Sequence, residues 1–339
     1  MIQPGQLDPY QRPPDNIRNV YKKYQKMKPK DLEKDPNILD IGIGPSAAQW
    51  NGLSIIAEFE PSRLERVFQS FASPTQGHTY FDASVPIYEH KDIPGLQIIP
   101  SLLPPEVQVM LLSKLLHRDL SNPAHLTNIH THYKITYPPE SSFFSHSQKS
   151  SNFAATPLEP SVHRPLTVAQ LLTRKVRWMT LGGQYDWTKK RYPDSVPPVF
   201  PSDIKELLEG IFTDTKAEAA IVNLYSPGDT LSMHRDVAEE CDRGLISLSL
   251  GCEAVFVVGA TSKEGQERIL TLRLRSGSAV YMSGKSRFAW HGVPQIVPNT
   301  CPRYLQDWPA DDATGQYEEW RGWMSGKRVN VNVRQMWES

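Results

Sequence analysis

The chain has 339 residues, 39% hydrophobic and 22% charged. This is ordinary globular usage, and it excludes a chain disordered throughout, a collagen-like repeat and a coiled coil. Thirty-seven Lys+Arg against 37 Asp+Glu leave no global field toward nucleic acid or membrane, so any polyanion site has to be a local patch.

At about 150 residues per domain, the length fits two domains or one large β domain. No run reaches 18 apolar residues and the N-terminus lacks an apolar core segment, so neither secretion nor a membrane span is expected. Asp8 and Asp15 weaken a mitochondrial transit reading. Cys241, Cys252 and Cys301 are odd in number, widely spaced and without a CxxC pair. That argues against a disulfide framework or a structural zinc site and for a reducing intracellular compartment.

Residues 1–90 read as a partly flexible N-terminal extension rich in Pro, Asp and Lys. Within it Ile17, Val20, Tyr21 and Tyr24 stand at helical spacing and predict a short amphipathic helix. Its other face carries Lys22, Lys23, Lys26 and Lys28, continuing to Lys30, either a solvated face or one that meets phosphates or serves nuclear import.

The folded domain is expected over 91–339. From Gly95 the stretch LQIIPSLL leads into Pro104-Pro105, and Val107, Met110, Leu111 and Leu115 then mark one face of a helix begun by proline. Residues 121–174 carry many Ser, Pro and His with little periodicity, which reads as an insertion or mobile lid. A further helix follows Ser202, with Ile204, Leu207, Leu208 and Ile211 on one face. Short runs rich in β-branched residues come next, at 219–226, 245–251, 254–259, 269–275, 278–283 and 328–334. Such strands separated by Gly-bearing turns indicate a sandwich or barrel, not a doubly wound sheet.

His-x-Asp occurs at 90–92, 117–119 and 234–236, whereas ten histidines and 37 acids would give about one His-x-Asp/Glu by chance. The tripeptide alone therefore carries little. The copy at His117 imitates a kinase catalytic loop, but Ala124 stands where Asn is required and no Gly-rich loop accompanies it. On extended backbone, positions i and i+2 project to one side, so His234 and Asp236 can converge on an ion. His291, beyond the run at 278–283, is the best third ligand. Two His and one carboxylate suit Fe(II) with open positions, although zinc is not excluded by these three residues.

The last strand favours iron. In Arg328-Val329-Asn330-Val331-Asn332-Val333-Arg334 the polar residues share one face, and a row of guanidinium, amide, amide and guanidinium suits a dicarboxylate. The plainer alternative is a half-exposed edge strand. Asn223 and Tyr225 alternate on another strand, just before the turn that leads to His234, and they too can reach the ligand. His90, His117, His130 and His132 are assigned to structure or surface, and Cys241 and Cys252 to packing.

With NLYSPGDTLSMHRD, HGVP and RVNVNVR read in order, the chain resembles the AlkB family of Fe(II)/2-oxoglutarate dioxygenases, most closely its eukaryotic homologue-1 branch, from about Ile93 to Met336. The resemblance implies an α+β, mainly β fold: a double-stranded β-helix (jelly-roll) core with flanking helices and a nucleotide-recognition lid over 178–200. It implies iron on His234, Asp236 and His291, and 2-oxoglutarate on Asn223, Tyr225, Arg328, Asn330 and Arg334. By analogy Arg328 pairs with the distal carboxylate and Arg334 serves the end that chelates iron. The segment MTLGGQYDWTKKRY looks like the family's lid, in which Trp187 and Tyr192 offer stacking faces and Lys189, Lys190 and Arg191 meet phosphate.

Bacterial members place a base-contacting acid two residues beyond the metal Asp, where this chain has Ala238, followed by Glu239 and Glu240. The activity implied is oxidative demethylation of N-methylated nucleobases, N6- or N1-methyladenine in RNA first and DNA second, releasing formaldehyde, succinate and CO2. The competing readings are a jelly-roll hydroxylase of a protein or small molecule and a non-catalytic nucleic-acid-binding module. The expected partners are methylated RNA or DNA and O2, with no membrane, for a monomer in nucleus, cytoplasm or mitochondrion.

Overall fold

Alternating β-branched residues after position 218 form strands because a pleated backbone lets their stiff side chains pack on neighbours. The computed structural model describes residues 7–337, apart from 44–46, 51, 73–79, 139–141 and 262–264. In it Ala279–Met282, Leu245–Gly251, Arg328–Arg334 and Ala219–Tyr225 lie side by side, in that order, in a large sheet. Glu267–Leu274, Ala254–Thr261, Trp290–Ile296 and Leu231–His234 lie side by side in a smaller one. All these neighbours pair antiparallel. In chain order the strands cross from sheet to sheet at every step but one, the hairpin from Ala254–Thr261 to Glu267–Leu274. This is the double-stranded β-helix.

The expected boundary at residue 90 is corrected. Leu53–Phe59 and Val85–His90 pair with each other, and Leu96–Ile99 joins them to Ala279–Met282, so all three widen the large sheet. Between them helix Pro61–Ala72 buries Leu64, Phe68 and Phe71. Helix Asp15–Lys26 buries Ile17, Tyr21 and Tyr24 in one apolar cluster with Val255, Val257 and Trp290 of the smaller sheet. Its lysines lie on the solvent side, where Lys23 donates to Asp35 at 2.7 Å. These residues belong to the core because their apolar partners are supplied by strands far along the chain, which local composition does not register.

Residues 121–174 are also built into the body. They carry a three-stranded sheet, Tyr133–Ile135, Phe153–Pro157 and Leu166–Thr167, and sink Phe143 and Phe144 into the core. Trp178–Gly182, the start of the segment expected as a lid over 178–200, pairs instead with Ala219–Tyr225 at the edge of the large sheet. Helices Pro105–Ser113 and Ser202–Ile211 stand where their spacing predicts. Cys241, Cys252 and Cys301 are free and buried. No helix among the described residues is long and apolar enough to cross a membrane.

Candidate active site

His234 ends its strand directly opposite His291 on the neighbouring one. The two imidazoles therefore stand side by side, ring centroids 4.4 Å apart. Each Nδ1 lies within hydrogen-bond distance of a main-chain carbonyl, Ser232 O at 2.9 Å for His234 and Ala289 O at 3.0 Å for His291. That contact favours the tautomer with its hydrogen on Nδ1 and leaves Nε2 as a lone pair, the form a metal takes. Asp236 follows at the strand's end, with Oδ1 3.8 Å from His234 Nε2 and Oδ2 3.6 Å from His291 Nε2. Among the described residues these three form a group able to hold a metal ion, their ligand atoms all within 4.8 Å of one another.

The electrostatics agree with that chemistry. Desolvation, then the neighbouring His291, pushes His234 down to about 4, so the ring is neutral at pH 7 and free to ligate. Burial alone would raise the Asp236 carboxyl. Arg334 foremost, with His291 and His234, instead holds it well below the usual carboxylate range. Two imidazoles, His234 neutral, beside an ionised carboxylate suit a divalent cation with positions to spare.

Beside this group a cavity runs between the sheets, lined by Ser247, Phe256, Met282, His291, Arg328 and Asn330 among others. Arg328 is paired in register with Tyr225, and Asn330 with Asn223, so the alternation of both strands delivers their polar residues in matched rows. The Arg328 guanidinium is 1% exposed and donates from Nη2 to Ser249 Oγ at 3.0 Å. Its Nε and Nη1, and the buried Tyr225 hydroxyl, have no partner among the described residues. Burial pushes Arg328 down to about 10. A buried cation with idle donors is costly unless a ligand completes it, and a carboxylate matches that fork. Asn330 Nδ2 is braced by Ser247 Oγ at 2.9 Å and Leu248 O at 2.8 Å. Asn332 also lines the cavity. Arg328, Asn330 and Asn332 thus line one cavity with the metal-group residue His291. Arg334 lies at the metal end, donating to Asp236 Oδ2 at 2.9 Å and pairing through Nε with Glu239 at 3.0 Å.

The segment expected as a lid turns only part of its expected set inward. Trp187 is exposed and packs on Trp178, ring centroids 5.4 Å apart. Tyr192 is drawn inward, where burial raises its hydroxyl pKa and the charges of Arg334, Glu239 and Asp236 reach it. Tyr185, not singled out from the sequence, stands between them, 4.9 Å from Trp187 and 5.2 Å from Tyr192. Burial, then Asp236, pushes Tyr185 up to about 12. Its signal was the same two-residue alternation, Tyr185 and Trp187. Lys189 and Arg191 are exposed. Lys190 reaches the N-terminal segment, donating to Pro9 O at 2.9 Å and lying 4.2 Å from the Tyr10 ring centroid. His117 is structural: its ring stacks 4.5 Å from Tyr317 and Nδ1 meets Ser142 Oγ at 2.7 Å.

A double-stranded β-helix carrying two histidines and an aspartate beside an arginine-ended cavity defines an Fe(II)- and 2-oxoglutarate-dependent oxygenase. The model of the 2OG-Fe(II) oxygenase superfamily matches residues 95–334, and the chain belongs to that family. Within it the chain is of the AlkB family, near the homologue-1 branch. It is 46% identical, over 98% of both chains, to the N6-methyladenosine RNA demethylase ALKB1 of Pyricularia oryzae. It is 51% identical to the N6-methyladenosine RNA demethylase ALKBH of Cryphonectria parasitica, over 61% of this chain and 99% of that one. With the tRNA demethylase abh1 of Schizosaccharomyces pombe the identity is 40%, over 74% of this chain and 82% of that one. The cofactors are Fe(II) and 2-oxoglutarate, which the donor set and the idle guanidinium both fit.

Proposed function

We propose that this enzyme removes methyl groups from N-methyladenine in RNA, with N6-methyladenine the preferred base and DNA a secondary substrate. His234, Asp236 and His291 hold the iron. Arg328 and Tyr225 take the distal carboxylate of 2-oxoglutarate, Asn223 and Asn330 its flank, and Arg334 the end nearest the metal. Held by these residues, iron with 2-oxoglutarate and O2 would supply the hydroxylation of the methyl carbon, one oxygen atom going to the substrate and the other to the succinate formed with CO2. The N-hydroxymethyl product then loses formaldehyde, its oxygen-bound proton passing to the adenine nitrogen.

The protein's own work is to bind, orient and exclude water. Tyr185, Trp187 and Tyr192 form aromatic walls against which an unpaired base is gripped, and stacking tolerates any base, so selectivity has to come from charge and shape. Lys189 and Arg191 meet the phosphates, while Lys190 serves the N-terminal segment instead. N1-methyladenine is cationic at neutral pH and calls for a free acid beside it. Glu239, the first acid after Ala238, is committed to Arg334 and Arg287, which supports the neutral N6-methyl base. The names of the Pyricularia and Cryphonectria relatives support the same base in RNA.

The observation that carries the reading is the triad beside a cavity lined by His291 and by a buried Arg328 whose Nε and Nη1 have no partner among the described residues. Mass spectrometry of nucleosides tests it, after incubation of N6- and N1-methyladenine RNA and matched DNA with Fe(II), ascorbate and 2-oxoglutarate. Methyl loss is expected to need 2-oxoglutarate, to be fastest on N6-methyladenine RNA and to vanish in His234→Ala. Succinate formation with every oligonucleotide unchanged would move the substrate to a protein or small molecule.

A further inference from the structure

Behind Asp236 and Arg334 lie two buried charges to which the chemistry above gives no part. Arg334, 3% exposed, divides its guanidinium between Asp236 Oδ2, at 2.9 Å from Nη2, and Glu239 Oε1, at 3.0 Å from Nε. Glu239, 4% exposed, gives its other oxygen to Arg287 Nη2 at 3.0 Å. Arg287 is buried and turns its remaining donors on main chain, Nη1 to Asp236 O at 2.9 Å and Nε to Arg243 O at 2.7 Å. The contacts close on themselves: Asp236 carboxylate, Arg334, Glu239, Arg287, Asp236 carbonyl. Two cations face two anions, so the ring is neutral; Arg334, Glu239 and Arg287 are buried and Asp236 is nearly so, an environment where ion pairs persist only with this degree of mutual satisfaction.

The ring grips one metal ligand at two places. Arg334 occupies Oδ2 and leaves Oδ1 toward His234, while Arg287 fixes the peptide from which the side chain springs. We propose that Glu239 and Arg287 are positioning residues for the iron: they hold Asp236 to one-oxygen ligation, and Glu239 offsets the Arg334 charge that would otherwise oppose a dication a few ångströms away. The inference rests on the iron-site reading. Cobalt binding to the wild-type protein tests that reading by itself, and the variants test the ring.

The two roles of Arg334 give the test its direction. Glu239→Gln keeps the shape of the ring and removes its negative charge, so Arg334 opposes the metal more and attracts the 2-oxoglutarate carboxylate no less. Partners of this kind typically set metal affinity by about 10- to 100-fold. The apo full-length protein is titrated with Co(II), followed by absorption, and then with 2-oxoglutarate at saturating Co(II); melting curves accompany both. For Glu239→Gln a Co(II) Kd raised about tenfold or more is expected, with 2-oxoglutarate affinity unchanged or tighter. Arg287→Lys keeps the charge but cannot span Glu239 and both carbonyls. It covers the case in which Glu239→Gln does not fold, and is expected to weaken Co(II) in the same way. Glu240→Gln, altering the exposed neighbouring acid, leaves both constants as in the wild type. An unchanged Co(II) Kd in a folded ring variant overturns the proposal. So does parallel weakening of Co(II) and 2-oxoglutarate with a lowered Tm, the mark of a structural role alone.

Discussion

Arg328 is the residue on which the proposed cosubstrate recognition turns. Its guanidinium lies under protein on all sides, with Nε and Nη1 idle, and the Tyr225 ring centroid is 5.5 Å away. A lysine keeps the charge but loses the planar fork, so Arg328→Lys is expected to raise the KM for 2-oxoglutarate by about 10- to 100-fold while kcat at saturating cosubstrate stays within about threefold. Succinate formation at varied 2-oxoglutarate measures both. Such residues were legible in the sequence because a strand's period of two fixes which side chains share a face, so Arg328, Asn330 and Arg334 announce themselves together. Glu239 and Arg287 were not, since each owes its role to partners dozens of residues away. Nor were the contacts of Lys190 with Pro9 and Tyr10, since a cation among aromatics reads from sequence as a phosphate ligand and its partner Pro9 lies 181 residues away.

At the scale of elements, the strands with long β-branched runs were legible and the short or exposed ones were not. Leu231–His234 has four residues, Trp290–Ile296 contains Gly292 and Pro294, and Leu53–Phe59 exposes every position between its two ends. None of these offers the alternation by which a half-buried strand is recognised. Helix Pro61–Ala72 did carry a pattern, Leu64, Phe68 and Phe71, but it was masked by the charged, proline-rich text around it. The stretch Lys114–Asp119 that continues helix Pro105–Ser113 carries His117 into a cluster of Phe144, Trp308 and Tyr317. Burial pushes this imidazole down to about 4, below its unfolded value near 6.5, so the fold holds it neutral while the unfolded chain takes up a proton. Its contribution is therefore complete above pH 6.5 and is lost as pH falls toward 4. Urea unfolding at pH 7 and pH 4.5 is expected to show wild type losing about 2 kcal/mol more than His117→Phe over that interval.

Across the whole molecule, segments distant in sequence converge on one site. The first 90 residues supply strands to the large sheet and a helix to the back of the small one, and Arg273 and Arg275 bind this segment to the core through Glu33 and Asp40, sharing Glu253 between them. The jelly roll sets His234 opposite His291 and Arg328 opposite Tyr225. The paired histidines and the row shared by Arg328 and Tyr225 are therefore consequences of strand register, with Asp236 just past its strand's end. The motif order made the class readable before the fold. The integration of residues 1–90 and of 121–174 was not readable, because it depends on which distant apolar surfaces they cover.

The central claim is that one site holds both iron and 2-oxoglutarate, and anaerobic addition of the two to the full-length apo-protein tests it most directly. A visible charge-transfer band is expected only when both are present, absent in His291→Ala and shifted to higher 2-oxoglutarate concentration in Arg328→Lys. A band that forms without 2-oxoglutarate, or that survives unchanged in His291→Ala, would contradict the account.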